Sequence, residues 1–220
     1  HDQRNAMKIT GYGSREAFVW SLPTLVLMAV LVQFGQYWVA LALSPLLWFV
    51  LIFFRDPERH IPTDQGLLVS PADGQVTDID ECDAPYVGPA RRISVFMNVF
   101  SVHVNRMPVA GTVEFVEHVP GKFLNAMKGE AATANERHLI GLKGEDGRKY
   151  LVVQIAGLIA RNIVTPVKVG ERFARGQRFG MIKFGSRTDV CVEKDSPWTF
   201  MAQKGQWVSG GGDVLGRLQG

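Results

Sequence analysis

The sequence predicts a mainly β (α+β) protein: a β-sandwich or barrel-like soluble domain preceded by an N-terminal hydrophobic helical hairpin. Two observations carry this. No Asp, Glu, Lys or Arg occurs anywhere from Ala17 to Phe54. Beyond Ile61, short β-branched and apolar runs alternate with Gly, Pro and Asp, the punctuation of a strand-rich domain. The 220 residues suffice for one ordinary domain plus an appendage.

Taken in order, His1 to Ala6 carry no apolar pattern and read as an added tail ahead of Met7, outside the fold. Residues 1–16 form an N-terminal segment and 17–54 the hairpin. One bilayer crossing takes about 20 apolar residues, so the uncharged run is too long for one and just long enough for two short ones. Gln33, Gly35 and Gln36 break it where a hairpin would turn. Lys8 and Arg15 precede it, and Arg55, Arg59 and His60 follow it, so both ends face the cytoplasmic side. Spanning and shallow one-leaflet hairpins both satisfy this pattern. The run is too long for a cleavable signal peptide and has no clear small-residue cleavage site. Pro23 and Pro45 fall at helix starts or kinks.

Residues 55–220 make the soluble domain. Expected strands cover Gly74–Ile79, Ile93–Met97, Gly111–Val116, Tyr150–Ile155, Val164–Val167 and Phe179–Phe184. Only Phe123–Arg137 has weakly helical or loop character. A loose internal echo links Val169–Gly180 to Met201–Val208, both with a Lys/Arg-Gly-Gln-apolar core. That form is similar to the hairpins of small lipoyl-carrying sandwiches. Cys82 and Cys191 have no metal or redox spacing and read as reduced thiols. The net charge of +3 is too small to argue for nucleic acid, and no dense basic run is interleaved with aromatics. Weak attraction to an anionic membrane surface fits the charge better.

Three motifs could carry chemistry. Asp73, in Ser70-Pro71-Ala72-Asp73-Gly74, reads either as a type I′ hairpin turn between Val69 and Val76 or as a carboxylate that orients a base. His103 reads either as a core histidine or as a general base near neutral pH. Asn105 shares its strand face. His60, His118 and His138 are poorer candidates, being juxtamembrane or beside turn and polar residues. Gly185-Ser186 reads as a turn at the end of the Phe179–Phe184 strand, or as a hydroxyl beside the chain's own carbonyl. No metal-ligand cluster is evident.

Together, Ser70–Gly74, Phe96–Phe100, His103–Arg106, Pro120–Ala126, Asn135–Arg137 and Phe184–Arg187 resemble the short bacterial and archaeal form of phosphatidylserine decarboxylase, in order from about Arg55 to Val190. The hydrophobic hairpin is similar to that family too. The resemblance implies a membrane-bound proenzyme that converts phosphatidylserine to phosphatidylethanolamine and CO2. Ser186 would attack Gly185, giving a β subunit of residues 1–185 and an α subunit of 186–220. The former Ser186 would become a pyruvoyl group that forms a Schiff base with the substrate amine. Asp73 and His103 would be orienter and base, with His103 also a proton donor. Lys122, Asn125 and Arg106 would meet substrate. Arg91, Arg92, Arg161, Arg172 and Lys183 are further candidates for its phosphate. The implied location is the inner membrane, cytoplasmic face.

The chain departs from longer members in having Arg106 where they carry a second histidine, and Arg187 where they carry threonine. Cys191–Lys194 also departs from the expected apolar-Pro pattern, which puts the strand there in question. Oligomeric state stays open. An archaetidylserine-type substrate and a non-catalytic lipoyl-like membrane adaptor are the alternatives. No lysine lies between two methionines, as a carrier would need, and no Gly-x-Ser-x-Gly elbow supports a hydrolase.

Overall fold

The computed structural model describes residues 8–158, 163–183 and 185–219. The chain divides into two compact units, one ending at Glu58 and the other starting at Arg59.

The first unit contains α1 (Ser14–Gln33), α2 (Tyr37–Ala42) and α3 (Ser44–Phe53). The break falls where Gln33, Gly35 and Gln36 place it. Pro23 lies inside α1, and Pro45 occupies the first turn of α3, where its missing N–H has no intrahelical partner to lose. The two ends of the hairpin are tied together: Thr10 N–H donates to Phe54 O at 3.0 Å, and Asp56 N–H to Lys8 O at 2.7 Å. The 20 residues of α1 are long and apolar enough to cross a membrane. Phe18, Trp20, Val26, Trp38 and Trp48 stand exposed, so the helices present apolar surface outward.

The second unit begins with β1 (Leu67–Val69), β2 (Gly74–Ala84), β3 (Gly88–Met97), β4 (Val104–Arg106) and β5 (Gly111–Val119). A single helical turn, α4 (Ala131–Ala134), precedes β6 (Arg137–Gly144), β7 (Lys149–Ile155), β8 (Ile163–Val164) and β9 (Arg172–Phe173). The chain ends with β10 (Arg178–Ile182), β11 (Ser186–Glu193), β12 (Trp198–Phe200), β13 (Trp207–Val208) and β14 (Val214–Leu218).

Eight of these strands form an antiparallel sheet in the order β13-β2-β3-β11-β7-β6-β5-β9, and two three-stranded sheets, β1-β14-β12 and β4-β10-β8, complete the unit. Side chains alternate across the large sheet. Val152, Val190 and Val192 join Leu68, Phe179 and Leu215 of the small sheets, and Met107 just after β4, in the main core. Leu151, Val153 and Cys191 point the other way into a second cluster with Leu139 and Ile155. Both faces are therefore covered, and β7 and β11 read as continuous buried runs rather than alternating ones.

Several expectations change. Asp73-Gly74 is not a hairpin turn, because β1 and β2 belong to different sheets and the turn is a crossover between them. The strand expected at Val164–Val167 shrinks to β8. Ser186 does not end β10; it opens β11, which runs on through Cys191 to Glu193 with partners on both sides. Phe184 and Arg161 lie outside the described residues.

The internal echo reappears as matched turns. Gly176 and Gly205 have φ +74° and +89°. Gln177 Oε1 accepts from Ala174 N–H at 2.9 Å, and Gln206 Oε1 from Gln203 N–H at 3.0 Å. The backbone of each turn then pairs with a core residue, Met107 in one case and Val76 in the other.

Candidate active site

Ser186 is fully buried at the first position of β11, opposite Met97 at the end of β3, with its Oγ 3.9 Å from Met97 Sδ. Gly185 just before it has φ +65°, a left-handed conformation that glycine adopts without strain. On the other side of β3, Gln75 pairs with Phe96. Strands lie about 4.8 Å apart, so the start of β2 and the start of β11 flank the same strand end about 10 Å apart. Asp73 immediately precedes β2.

The Asp73 carboxylate accepts from Gly210 N–H at 2.7 Å and pairs with Arg59 Nη2 at 2.5 Å. His103 is fully buried, and its carbonyl accepts from Ile182 N–H at 3.3 Å, so it abuts the segment leading to Gly185. Arg106 N–H donates to Pro71 O at 2.8 Å, joining β4 to the Asp73 turn. These backbone links bring the Asp73, His103 and Gly185-Ser186 motifs to one end of the sandwich.

The remaining candidates divide. Arg106 is buried, and its Nη1 donates to Gly176 O at 3.1 Å. Arg91 donates to the carbonyls of Ser196 and Trp198, and Arg92 pairs with Asp80. Lys122 and Asn125 are exposed on the loop between β5 and α4.

That loop is pinned at both ends. Asn135, fully buried, holds Leu124 through both its N–H and its carbonyl, and donates to Ala156 O at 2.8 Å. Ala126, farther along the loop, is buried beside Gly157. The Pro120–Ala126 and Asn135–Arg137 motifs thus reach the Gly185 end of the sandwich.

Sequence reasoning missed a buried polar chain beneath the site. Gln154 Nε2 donates to Asn105 Oδ1 at 2.7 Å, Asn105 Nδ2 donates to Thr188 Oγ1 at 3.3 Å, and Thr165 Oγ1 donates to Gln154 Oε1. Gln154 and Thr188 are central-strand positions whose polarity inside an apolar run was the available signal.

His118 and His138, set aside from sequence, are direct cross-strand partners with ring centroids 4.6 Å apart, and His118 Nε2 lies 3.3 Å from Glu136. Burial and the neighbouring His118 hold His138 below the ordinary imidazole range. Cys82 and Cys191, distant in sequence, face each other, and their hydrogen bond together with burial pushes the Cys191 thiol up. Among the described residues no group of three His, Cys, Asp or Glu side chains is placed to hold a metal.

A cavity of about 660 Å³ lies elsewhere, lined by Asp64, Glu145, Asp146, Tyr150, Arg175 and Trp198 among others. Tyr150 pairs with Val192, six positions along β11 from Ser186. At about 3.4 Å per residue this is the opposite end of the sheet.

The sequence model of the family described as "Phosphatidylserine decarboxylase" matches residues 46–216. The phosphatidylserine decarboxylase proenzyme of Carboxydothermus hydrogenoformans is 47% identical over 208 residues, covering 94% of this chain and 96% of the relative. That of Symbiobacterium thermophilum is 48% identical over 196 residues, covering 88% and 90%. That of Ralstonia nicotianae is 53% identical over 145 residues, covering 66% and 67%. With a family match over most of its length and relatives 47% and 48% identical over 94% and 88% of it, the chain belongs to the phosphatidylserine decarboxylase family.

Proposed function

We propose that this chain is a membrane-associated carboxy-lyase that converts phosphatidylserine to phosphatidylethanolamine and CO2 after cutting itself between Gly185 and Ser186. The observation that carries the reading is the position of Ser186, buried at the junction where the Asp73 and His103 motifs meet and preceded by a left-handed Gly185.

In the cutting step, Ser186 Oγ loses its proton and bonds to Gly185 C. The Gly185–Ser186 C–N bond breaks, and the nitrogen takes up a proton, leaving an ester. Loss of the Ser186 Cα proton then expels Gly185 as a carboxylate, and water releases the nitrogen as ammonia. His103 is the base and Asp73 its orienter. Residue 186 stays in place afterwards, because the rest of β11 is hydrogen-bonded to both β3 and β7. That double anchoring suits a prosthetic group made from the chain's own terminus.

The resulting pyruvoyl carbonyl supplies an electron sink for loss of the substrate carboxylate, the role pyridoxal phosphate has elsewhere. His103 returns a proton to the substrate carbon. Lys122 and Asn125, on the loop pinned by Asn135, meet the lipid head group. The apolar helix α1 holds the enzyme at the inner membrane with the second unit on the cytoplasmic face.

A denaturing gel with intact mass tests the reading. The purified chain should run as two pieces, residues 1–185 and a blocked 186–220, while Ser186→Ala stays whole and inactive. Cyanoborohydride should trap phosphatidylserine on the smaller piece; an archaetidylserine-type lipid trapped in preference would change the substrate. A chain that never splits, or unchanged activity in Ser186→Ala, would overturn the proposal.

A further inference from the structure

Gly157 closes against the carbonyl of Gly185 more tightly than any side chain would allow. A methyl group built on Gly157 would lie 1.6 Å from Gly185 O and 2.8 Å from Gly185 C, with Ala126 Cβ next at 3.5 Å. Carbon and oxygen in non-bonded contact need more than 3 Å. The space that a Cβ would fill is occupied by the carbonyl oxygen itself.

This seat is fixed from behind. Ala156, the preceding residue, donates its N–H to Glu136 O at 2.9 Å and accepts from Asn135 Nδ2 at 2.8 Å. Gly157 therefore follows β7 directly after a residue hydrogen-bonded at both its N–H and its carbonyl. On the far side of the peptide, Ser186 is locked into β11. The bond between residues 185 and 186 is thus held at its oxygen end by Gly157 and at its nitrogen end by the sheet.

We propose that Gly157 is the positioning residue for self-cleavage: its bare Cα seats the Gly185 carbonyl oxygen so that the carbonyl carbon is presented to Ser186 Oγ. The inference rests on the cleavage reading above. Attack turns that oxygen into an oxyanion in place, and a methyl at residue 157 would drive the carbonyl out by more than 1 Å. A displacement of that size costs about 100-fold in a positioned reaction. The requirement ends with cleavage, since Gly185 then becomes a free carboxy terminus able to move aside.

The test compares the full chain with Gly157→Ala and with Gly129→Ala, whose added methyl meets nothing within 4 Å. Three quantities are read: the rate at which residues 186–220 are released, the melting temperature, and turnover per cleaved chain. Gly157→Ala should release the fragment at least about 100-fold more slowly while melting within a few degrees of the parent. Its cleaved fraction should turn over at the parental rate, and Gly129→Ala should match the parent throughout. A Gly157→Ala chain that cleaves at the parental rate would overturn the role of Gly157 alone. So would one that loses its fold, or that loses turnover per cleaved chain as much as cleavage, since either makes Gly157 a general structural residue. A parent chain that stays whole would instead remove the cleavage reading and this inference with it.

Discussion

The guanidinium of Arg187 grips the carboxylate of Asp189, two residues further along β11, with Nε 2.6 Å and Nη2 2.9 Å from its two oxygens. Both side chains are buried, and Ser94 Oγ accepts from the same guanidinium at 2.8 Å. The pair lies on the face of β11 opposite Ser186, so it anchors the residue after the cleavage site without entering it.

Removing one partner should therefore hurt more than removing both. Arg187→Ala leaves the buried Asp189 to Arg92, whose Nη1 is 3.7 Å away, a loss of about 3 kcal/mol. An Arg187→Met/Asp189→Leu chain should recover much of that. Arg187→Lys should fall between, because an ammonium lacks the fork that binds both oxygens. Thermal and denaturant unfolding of the three chains checks the order.

Asp73 is held by Gly210 and Arg59, and its side chain is only 18% exposed. Asp73→Asn preserves an oxygen for the Gly210 N–H and removes the charge. If Asp73 orients the base, cleavage should slow by at least about 100-fold with little change in melting temperature. Arg59→Gln, which removes only the ion pair of a partly exposed site, should cost less than about 1 kcal/mol and leave cleavage near parental. Equal effects of the two on cleavage would assign Asp73 to the framework instead.

Asn135 joins the loop at residues 120–126 to the end of β7 through three hydrogen bonds. Asn135→Ala removes all three and leaves buried backbone groups unpaired, at a cost of about 2–4 kcal/mol. It should also raise the KM for lipid, because Lys122 and Asn125 ride on that loop. Unfolding and steady-state kinetics on mixed micelles measure both effects.

His138 gives the molecule a sign-definite pH response. Its folded-state pKa is lowered by burial and by His118, so the unfolded chain binds the extra proton first. Stability is therefore complete above the unfolded imidazole value of about 6.5 and falls as pH drops through the lower folded value. His118 packs against the ring, and Glu136 lies beside His118. His138→Gln should flatten the melting temperature between pH 7 and 5 relative to the parent; an unchanged slope would assign the response to other groups.

Much of this was legible from local pattern. The uncharged run from Ala17 to Phe54, broken at Gly35, is a composition signal that needs no partner. The alternation of apolar runs with turn residues located four of the eight strands of the large sheet, β2, β3, β5 and β7. The short motifs around Asp73, His103 and Ser186 picked out the candidate site because their order along the chain is distinctive. The Asp73-Gly74 turn misread as a hairpin shows the limit: a dipeptide reports local φ and ψ, while sheet membership depends on strands far away.

The sequence by itself determined that an apolar hairpin precedes a β domain, and that a serine after a glycine has an aspartate and a histidine for company. Only the tertiary structure decided that β3 and the β4–β10 pairing bring them to one end, that Arg106 Nη1 bonds Gly176 O, and that Gly157 closes on the Gly185 carbonyl. The physical reason is distance along the chain. Apolar periodicity and turn chemistry act over a few residues and can be read directly, whereas antiparallel pairing joins Met97 to Ser186 and Gln154 to Thr188 across long stretches, and only the packed register states which atoms meet.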